Sequence, residues 1–464
     1  MSASRILVLG AGGREHAIAW RLARDPHAPE VHVAPGNEGV AASFPCHALR
    51  ETDAAAVVAL ARELRAELVV VGPEAPLAAG VADVLREAGF TTFGASREAA
   101  QLEASKWYAK QVMAEAGVPT AAAVECHAVA QTLDAMARFA PPWVLKADGL
   151  AAGKGVLVTS ERAQAEAFAR DCLDGARFGD GGRRLVFEEF LPGVEASVIA
   201  ICDGEQFVLL PAARDHQRAF DGDQGETTGG RGAFAPLADV TPALEVEVGE
   251  QIVAPVLRVM AARGAPYRGA LYVGLMLTPA GAKVVEFNAR FGDPETQATF
   301  PLLGGVLSDV LEAAASGTMA SSSVAASGMM EISSVAASGR GAGGSLTRLP
   351  GAAVVVAITD SDYPGTLRGT GRIEGLEALE ASDPEVTVFH AGTRREQGLW
   401  CVAGGRAAYV LARGATIAAA RTRVYAAIDR LGGEGWRVRR DIAAGADQRT
   451  LEHEPARPAV RGVD

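Results

Sequence analysis

The stretch ILVLGAGGREHAIAWRLAR, residues 6 to 24, runs from a strand through a glycine turn into a helix. ILVLG has the apolar content of a buried strand, and REHAIAWRLAR has the Ala, Leu and Arg content of a helix. Similar units recur as far as residue 94, where VHVAPG, LVVVG and TTFG alternate with helical segments. This βαβ pattern predicts a parallel sheet with ligand contacts at the carboxyl ends of its strands.

Beyond this sheet the pattern becomes mixed. A helix predicted around 97 to 116 ends at Gly117-Val118-Pro119. Strands and helices alternate irregularly to about 210, with one helix predicted near 161 to 173. A further helix is predicted at 247 to 263. LYVGLML and AKVVEFN flank Pro279-Ala280-Gly281 and predict a hairpin. The C-terminal part contains the strands AAVVVAI and TVFHAGT, a helix near 415 to 430 and the basic segment WRVRRD.

Composition restricts the class of protein. The chain has 464 residues, 49% of them hydrophobic and 22% charged, which is typical of a globular protein of two to four domains. The net charge is −12, and no block of like charge is long enough for a nucleic-acid interface. The N-terminus lacks a signal-peptide pattern, and no apolar run approaches the length of a membrane span. The five cysteines are scattered without metal-type spacing. We therefore expect a cytoplasmic protein without nucleic-acid or membrane partners.

Two glycine loops are candidate anion sites. In LGAGGREHA, Gly10 and Gly12 match a dinucleotide fingerprint, but Glu15 replaces its third glycine, so the fingerprint fails. A tight turn and a helix start facing an anion explain this loop equally well. KADGLAAGKG, residues 146 to 155, is not a P-loop, because its glycine spacing is wrong and Gly155 stands where magnesium needs Ser or Thr. A flexible loop between two strands, with lysines at its base and tip, favours closure over nucleotide phosphates.

VVEFNARFGDPETQ, residues 284 to 297, is the most specific segment. Strand alternation predicts Glu286, Asn288 and Arg290 on one face, with Val285 and Phe287 packed on the other. Carboxylate and amide oxygens two residues apart suit magnesium, and an adjacent arginine offers a planar fork to a phosphate or carboxylate. A structural salt-bridge cluster would not need the asparagine, so we favour a metal and phosphate site.

Two further segments remain ambiguous from sequence alone. The paired carboxylates of VFEEFLPGVEASV (186–198) fit a solvated edge strand or a hinge that meets adenine, and taken alone the solvated edge is favoured. RDHQRAFDGDQGETTGGRGAF (214–234) fits a disordered surface loop or a nest of N–H donors for an anion.

Taken in order, these segments resemble the ATP-grasp superfamily and, within it, the phosphoribosylamine–glycine ligase family. The residues that carry the resemblance are GAGGREHA (10–17), APGNEG (34–39), VGPEAPL (71–77), KADGLAAGKG (146–155), EEFLPGVEAS (188–197), TGGRGAF (228–234), EFNARFGDPETQ (286–297) and FHAGT (389–393). The resemblance implies an α/β and α+β multidomain fold. Its parts are a Rossmann-like domain at 1–102, an ATP-grasp domain at 103–316 with a clamping subdomain at about 121–190, and a small α+β domain at 349–450. A low-complexity linker at 317–348, in which SSVAASG occurs twice, and a tail at 451–464 complete the chain.

The resemblance also implies a reaction. ATP would phosphorylate the glycine carboxylate, and the amine of 5-phospho-β-D-ribosylamine would attack the glycyl phosphate. The products would be glycinamide ribonucleotide, ADP and phosphate, in the second step of de novo purine biosynthesis. Such chemistry needs Mg²⁺ or Mn²⁺, lysines and an arginine rather than a side-chain nucleophile. We expect a monomer whose partners are ATP, glycine and phosphoribosylamine.

Family roles carried onto matching positions give a candidate for each contact. The ATP-binding candidates are Lys106, Lys146, Lys154, Glu188, Phe190, Leu191 and Glu195; the metal ligands are Glu286 and Asn288; and the catalytic arginine is Arg290. The substrate-binding candidates are Gly12, Gly13, Asn37, Glu74, Asp215, Gly229, Gly230 and Asp293.

The chain departs from the family pattern in one loop. Gln217 stands where the family usually has lysine, and Arg231 stands where it usually has methionine. We hypothesise that Arg231 restores the lost charge, which the Michaelis constants of an Arg231→Met variant would test. A different ATP-grasp carboxylate–amine ligase and a catalytically impaired ATP-binding regulator remain alternatives. GPEAPL and FGDPETQ argue against the first, and the retained lysines and metal candidates argue against the second.

Overall fold

The N-terminal strands form a parallel sheet in the order β2-β1-β3-β4, as the sequence predicts. The computed structural model describes residues 2–150, 155–175, 183–319, 332–333 and 345–446. The strands are almost wholly buried because helices cover both faces. The elements are β1 (Arg5–Gly10), α1 (Gly13–Leu22), β2 (Glu30–Pro35), α2 (Glu38–Ala41), α3 (Ala54–Leu64), β3 (Leu68–Val71), α4 (Glu74–Ala79), α5 (Val81–Glu87) and β4 (Thr91–Phe93).

The next part is a separate antiparallel sheet in the order β5-β8-β6-β7, packed against two helices. Its elements, with the two helices that precede it, are α6 (Gln101–Ala104), α7 (Lys106–Ala116), β5 (Ala123–Cys126), α8 (Val129–Arg138), β6 (Trp143–Ala147), β7 (Val156–Thr159), α9 (Arg162–Leu173) and β8 (Leu185–Glu189). The single helix predicted at 97 to 116 is wrong, because Ser105 is extended. Its hydroxyl caps α7 by accepting from the Tyr108 N–H at 3.1 Å.

A second antiparallel sheet, β10-β9-β15-β16, lies at the centre of the chain. The elements here are β9 (Val194–Asp203), β10 (Phe207–Leu209), β11 (Arg214–Asp215), β12 (Arg218–Phe220), β13 (Gln224–Thr227), β14 (Gly232–Ala235), α10 (Pro242–Val248), a π-helical turn (Gly249–Val253), α11 (Ala254–Ala262), β15 (Arg268–Thr278), β16 (Gly281–Asn288), α12 (Glu295–Thr299), a 3₁₀ turn (Phe300–Leu302), β17 (Leu303–Gly305) and α13 (Leu307–Ser316). The predicted hairpin is therefore β15–β16. The segment at 214 to 234 is an ordered strand pair, not a disordered loop.

A β-bulge in β16 changes the predicted alternation. Gly274 pairs with Glu286 and Leu275 pairs with Val284, so Val285 has no partner in the ladder. Both Val284 and Phe287 consequently enter the core, whereas Val285 is only half-buried. The prediction that Val285 packs beside Phe287 is therefore wrong. The bulge inserts one extra residue, so side chains of β16 before the bulge point to the opposite face of the sheet from the one that strict alternation gives.

The C-terminal part shares a sheet with the central part. Strands from both sides of the predicted linker form the order β11-β14-β20-β25-β22, with β27 added beside β20. The elements are β18 (Ile332–Ser333), β19 (Ser345–Arg348), β20 (Ala352–Asp360), β21 (Arg372–Glu374), α14 (Leu376–Ser382), β22 (Val386–His390), β23 (Thr393–Glu396), β24 (Leu399–Val402), β25 (Arg406–Gly414), α15 (Ile417–Ile428), β26 (Gly432–Glu434) and β27 (Trp436–Arg437). Most of the predicted linker and the whole predicted tail lie outside the described residues. No helix in the part of the chain that the structure describes is long and apolar enough to cross a membrane.

Candidate active site

The side chain of Glu15 fills the first glycine loop. The backbone N–H of Gly12 donates to Glu15 Oε2 at 2.8 Å, and a Cβ on Gly72 would lie 2.4 Å from Glu15 Oε1. Arg14 Nε contacts the same carboxylate at 2.5 Å. The carboxylate thus occupies the turn at which a dinucleotide-binding loop approaches its pyrophosphate, and its charge would repel one. This geometry explains why the fingerprint fails at position 15.

The N-terminal substrate candidates lie at the carboxyl ends of three neighbouring strands. Gly12 follows β1, Asn37 follows β2 and Glu74 follows β3, as the parallel sheet predicts. Asn37 Oδ1 caps α2 by accepting from the Gly39 N–H at 2.9 Å. Gly13 packs on Tyr409, where a Cβ would lie 2.4 Å from the ring. The structure therefore brings these four residues to one edge, although Asn37 already has an architectural contact.

The ATP candidates are centred on a buried carboxylate between two lysines. Lys146 Nζ lies 2.9 Å from Glu188 Oε2, and Lys110 Nζ lies 3.2 Å from Glu188 Oε1. The solvated-edge interpretation of Glu188 is wrong, because only 3% of the residue is exposed. Lys146 also donates to the backbone oxygen of Val285 at 3.0 Å, which connects the β5–β8 sheet to β16 next to Glu286.

The remaining ATP candidates surround this pair. Lys106 begins α7 and donates to the Gly149 oxygen at 3.3 Å, at the base of the second glycine loop. Phe190 is half-buried, Leu191 is buried and Glu195 is exposed on β9. Lys154, at the predicted tip of the loop, lies outside the described residues.

Glu286 and Asn288 are in direct contact, which agrees with the predicted placement of both side chains on one face of the strand. Asn288 Nδ2 donates to Glu286 Oε1 at 3.2 Å, so Glu286 Oε2 and Asn288 Oδ1 are the oxygens that this contact does not use. Across the described ranges, no group of three or more His, Cys, Asp or Glu side chains could hold a metal ion by itself. A carboxylate and an amide fit magnesium only if phosphates and waters complete its shell, which is how magnesium binds beside nucleotides.

Arg290 is held by two carboxylates. Its Nε lies 3.0 Å from Glu74 Oε2 and its Nη2 lies 3.1 Å from Glu103 Oε1. Burial opposes the charge of Arg290, but Glu103 and Glu74 outweigh it and raise its pKa further. Burial also opposes ionisation of Glu74, yet Arg290 and Arg14 keep the pKa of Glu74 below its ordinary value. Arg290 therefore joins the N-terminal sheet to the centre of the chain as well as facing the site.

The substrate candidates of the central part meet around Arg406, which comes from the C-terminal part. Arg406 Nη2 lies 2.7 Å from Asp293 Oδ2, and its Nη1 donates to the Gly229 oxygen. Asp293 Oδ1 accepts from Gln297 Nε2 at 2.6 Å. Burial works against ionisation of Asp293, but Arg406 and Arg14 outweigh it and lower its pKa.

The pKa of Asp215 is shifted in the opposite direction from that of Asp293. Asp215 lies against Gly230, where a Cβ would be 2.9 Å from Asp215 Oδ1, and that oxygen has no hydrogen-bond partner among the described residues. Burial and then the charge of Glu295 raise the pKa of Asp215 well above its ordinary value. Arg406 opposes this shift without reversing it. The unpaired Oδ1 is an acceptor available to a cationic group of a ligand.

Several residues of this site have no signal in the sequence. Lys110 sits in an ordinary amphipathic helix, Glu103 precedes it in a short one, and Arg406 begins an apolar strand 113 residues beyond Asp293. Only AGGRAAYV, with two glycines before an arginine, could have suggested a constrained turn at Arg406.

Three motifs that carry the resemblance meet in one contact between the N-terminal and C-terminal parts. The backbone N–H of His390 donates to His16 Nδ1 at 2.9 Å, and a Cβ on Gly39 would overlap the His390 ring at 2.0 Å. Burial, and then the charge of His390, lowers the pKa of His16 to about 3. Burial, and then Arg395, lowers the pKa of His390 to about 4. Both imidazoles are therefore neutral in the folded protein at neutral pH.

This contact predicts acid sensitivity. The folded pKa of each histidine is depressed, so the unfolded chain binds more protons as pH falls below about 6.5 and stability is lost between that pH and the folded pKa. Each histidine should contribute a slope of about 1.4 kcal/mol per pH unit. His16→Gln should make the fall in unfolding free energy between about pH 6 and pH 4.5 shallower by roughly that amount. The measurement is urea unfolding at each pH, and exposed His127→Gln is the control. Equal slopes in wild type and His16→Gln would contradict the prediction.

Fold and site together define an ATP-grasp enzyme: an antiparallel sheet with a glycine loop faces a second antiparallel sheet that ends in a carboxylate–amide pair. Three family models match the chain in succession. They are the phosphoribosylglycinamide synthetase N domain at residues 4–103, its ATP-grasp (A) domain at 104–296 and its C domain at 353–445. The chain belongs to this family.

Named relatives and a solved structure agree with this membership. A phosphoribosylamine–glycine ligase from Streptomyces coelicolor is 46% identical over 443 residues, which cover 95% of this chain and 99% of the relative. One from Caulobacter vibrioides is 44% identical over 444 residues, covering 94% and 97%. The crystal structure of phosphoribosylamine–glycine ligase from Thermotoga maritima has a TM-score of 0.76 at 30% identity and covers 95% of this chain and 100% of that one.

Proposed function

We propose that this protein joins glycine to 5-phospho-β-D-ribosylamine at the expense of ATP, which becomes ADP and phosphate. The observation that carries the proposal is that three pairs of polar side chains, drawn from separate parts of the chain, lie along β16 and the segment that follows it. They are the Lys146–Glu188 pair, the Glu286–Asn288 pair and the Arg406–Asp293 pair. Membership of the phosphoribosylglycinamide synthetase family supports the identity of the substrates.

In the proposed mechanism, the lysines bind ATP. Lys146, anchored to Glu188 and to the Val285 oxygen, points a fixed cation toward the phosphates beside Glu286. Lys106, at the base of the glycine loop, and Lys154, which the sequence predicts at its tip, would neutralise further phosphate charge. Phe190 and Leu191 would border the adenine, and Glu195 would accept from the ribose hydroxyls. Fixed charges of this kind lower the barrier because they need no reorganisation during the transfer.

Glu286 and Asn288 would hold Mg²⁺ or Mn²⁺, which when bound neutralises phosphate charge and holds the phosphoryl group in line. A glycine carboxylate oxygen takes the γ-phosphoryl group and ADP leaves. The ribosylamine nitrogen then attacks the glycyl carbonyl carbon, phosphate departs and the nitrogen loses its proton. Arg290, with its guanidinium fixed by Glu74 and Glu103, would stabilise the anionic phosphoryl group.

The substrate side is assigned by charge. Asp215, whose Oδ1 has no hydrogen-bond partner among the described residues, would bind the glycine amino group beside Gly229 and Gly230. Asp293, held by Arg406, would help to position glycine and the phosphoribosylamine. Gly12, Gly13, Asn37 and Glu74, at the strand ends of the N-terminal sheet, would contact the phosphoribosylamine. The domain boundaries inferred from sequence, a monomeric state and a cytoplasmic location stay predictions within this proposal.

An assay of ADP release tests the function. We expect sustained ADP release from ATP only when glycine and phosphoribosylamine are both present, because glycine alone gives at most one equivalent of glycyl phosphate and ADP per site until an amine attacks. Replacing glycine by alanine or β-alanine controls for a related ligase of different specificity. ADP release that needs neither substrate, or no turnover with both, would overturn the proposal. The second outcome would favour an impaired ATP-binding regulator.

A further inference from the structure

The basic segment WRVRRD near the C-terminus is not explained by the proposed chemistry. Within it, Arg439 is one of the largest fully buried side chains of the described chain, with 1% of the side chain exposed. Burying an arginine without partners for its charge costs several kcal/mol. The partners of Arg439 therefore indicate what the segment does.

Those partners lie on the hairpin β12–β13, residues 218–227, more than 200 positions earlier. Arg439 Nη1 donates to the Arg218 oxygen at 2.9 Å, and its Nη2 lies 2.8 Å from Asp223 Oδ1. Asp441 completes the contact: it accepts from Arg439 Nε at 2.8 Å and from the Gly222 N–H at 2.7 Å. The start of β12 and the turn of the hairpin are thus held by the side chains of Arg439 and Asp441.

Three more contacts tie the same two segments together. The Arg440 N–H donates to Asp221 Oδ1 at 2.9 Å, and the Ala443 N–H donates to His216 Nε2 at 3.2 Å. Arg437 stacks on the ring of Phe220, with its Cζ 4.4 Å from the ring centroid. The hydrogen bond with His216, and then Arg439, lowers the pKa of Asp223, so this carboxylate stays charged across the working pH range.

The segment itself is fixed to the C-terminal core. Tyr425 on α15 donates from its hydroxyl to the Arg439 oxygen at 2.8 Å and accepts from the Ile442 N–H at 3.1 Å. Arg421, one turn earlier on α15, donates to the Arg440 oxygen at 2.7 Å. The position of α15 therefore determines where the hairpin lies.

The two ends of the hairpin carry the proposed glycine contacts. Asp215 lies three residues before β12, and Gly229 and Gly230 follow β13. Thr228 closes the base, where its N–H donates to the Gln217 oxygen at 2.8 Å. Arg231 supports the hairpin from inside, donating to the Ala219 oxygen at 2.7 Å with no exposed surface. This buried position argues against the hypothesis that Arg231 restores the charge lost at Gln217.

We propose that Arg439 and Asp441 are positioning residues that clamp the hairpin 218–227, and through it set the binding of glycine and phosphoribosylamine without touching either. This inference rests on the proposed function, because it assigns the hairpin base to those substrates. Arg290, Glu286 and the ATP lysines lie on other elements, whereas the ATP candidate Glu195 has Arg218 and Asp223 of the hairpin among its electrostatic neighbours. The clamp should therefore change ATP binding much less than the binding of the other two substrates.

Asp223→Ala is the principal test, because the side chain of Asp223 is 55% exposed and its loss should not unfold the protein. We expect the KM for glycine or phosphoribosylamine to rise about fivefold while the KM for ATP stays within about twofold. Arg439→Met should raise the same constant further, by about twentyfold, with a smaller loss of kcat. Glu226→Ala, an exposed carboxylate of the same hairpin, is the matched control and should change none of these values.

Hydrogen exchange gives a second measurement that needs no substrate. In Asp223→Ala, amides of residues 218–227 should exchange at least about tenfold faster, while those of α15 keep their protection. Unchanged exchange in the hairpin, or a folded Arg439→Met with wild-type Michaelis constants, would overturn the clamp. Equal increases in all three Michaelis constants would also overturn it, since they indicate a general structural defect. If wild type shows no glycine-dependent ADP release, the proposed function fails and hydrogen exchange alone decides whether the hairpin is clamped.

Discussion

Replacing Glu286 by glutamine is expected to lower kcat about 1,000-fold while leaving the fold intact. The substitution keeps the size of the side chain and its contact with Asn288, and removes only a negative charge from a half-buried position at the end of β16. Because no core volume is lost, the free energy of unfolding should change by less than about 1 kcal/mol. The variant should therefore lose its activity while its free energy of unfolding stays close to that of wild type.

Metal binding distinguishes this explanation from a general defect of the site. Titration of the protein with Mn²⁺ in the presence of ADP, followed by electron paramagnetic resonance, should show an affinity at least about tenfold weaker in Glu286→Gln. Glu205→Gln, at an exposed turn between β9 and β10, is the control for the loss of one carboxylate. Near-normal turnover in Glu286→Gln, or unchanged Mn²⁺ affinity, would refute the metal role of Glu286.

Local sequence patterns were sufficient for the parallel sheet and for the pairing of Glu286 with Asn288. Strand, glycine turn and helix follow one another at β1–α1, and the carboxyl ends of parallel strands lie at one edge of a sheet, so the grouping of Gly12 with Glu74 follows from topology alone. Two residues apart on a strand means one face, which places Glu286 beside Asn288.

The same rules failed where contacts between distant parts of the chain determine the environment of a side chain. A bulge, which alternation cannot reveal, leaves Val285 without a partner and points its carbonyl oxygen at Lys146. Glu188 resembles an edge carboxylate until Lys110, 78 residues before it, is seen to neutralise it. Contacts over such separations have no local signature, since they depend on how whole sheets pack.

The pairing of β14 with β20 is the long-range contact that most affects the candidate site. It brings Arg406 to Asp293 and the segment 439–441 to the hairpin 218–227, so the C-terminal part completes a site whose motifs lie before residue 298. Motif analysis predicts the phosphate chemistry on the central part and assigns the C-terminal part no role. Long-range contacts of Arg406 and Arg439 supply that role, and no local sequence pattern predicts the partners of either arginine.

Arg290→Met is expected to lose both stability and activity, for two separable reasons. Glu103, whose side chain is 8% exposed, would be left without its cation, and breaking a buried pair from one side costs about 3–5 kcal/mol. Loss of the guanidinium beside the phosphoryl group should also lower kcat by about 1,000-fold. Arg290→Lys keeps the positive charge but loses the planar fork that reaches Glu74 and Glu103 together. The stability of Arg290→Lys should therefore lie between those of wild type and Arg290→Met.

The double variant Arg290→Met/Glu103→Gln separates the two roles. A glutamine at 103 can still accept from the Ala289 N–H, which lies 2.8 Å from Glu103 Oε2, and it leaves no unpaired charge. We therefore expect at least about half of the lost unfolding free energy to return, because neutral replacement of both partners of a buried pair is often close to neutral in stability. Activity should not return with it if Arg290 acts on the phosphoryl group. Glu103→Gln alone, with Arg290 still held by Glu74, is the control and should retain most of its turnover. Recovery of kcat in the double variant would instead assign Arg290 to the salt-bridge cluster, and the phosphoryl charge would then rest on the lysines and the metal site.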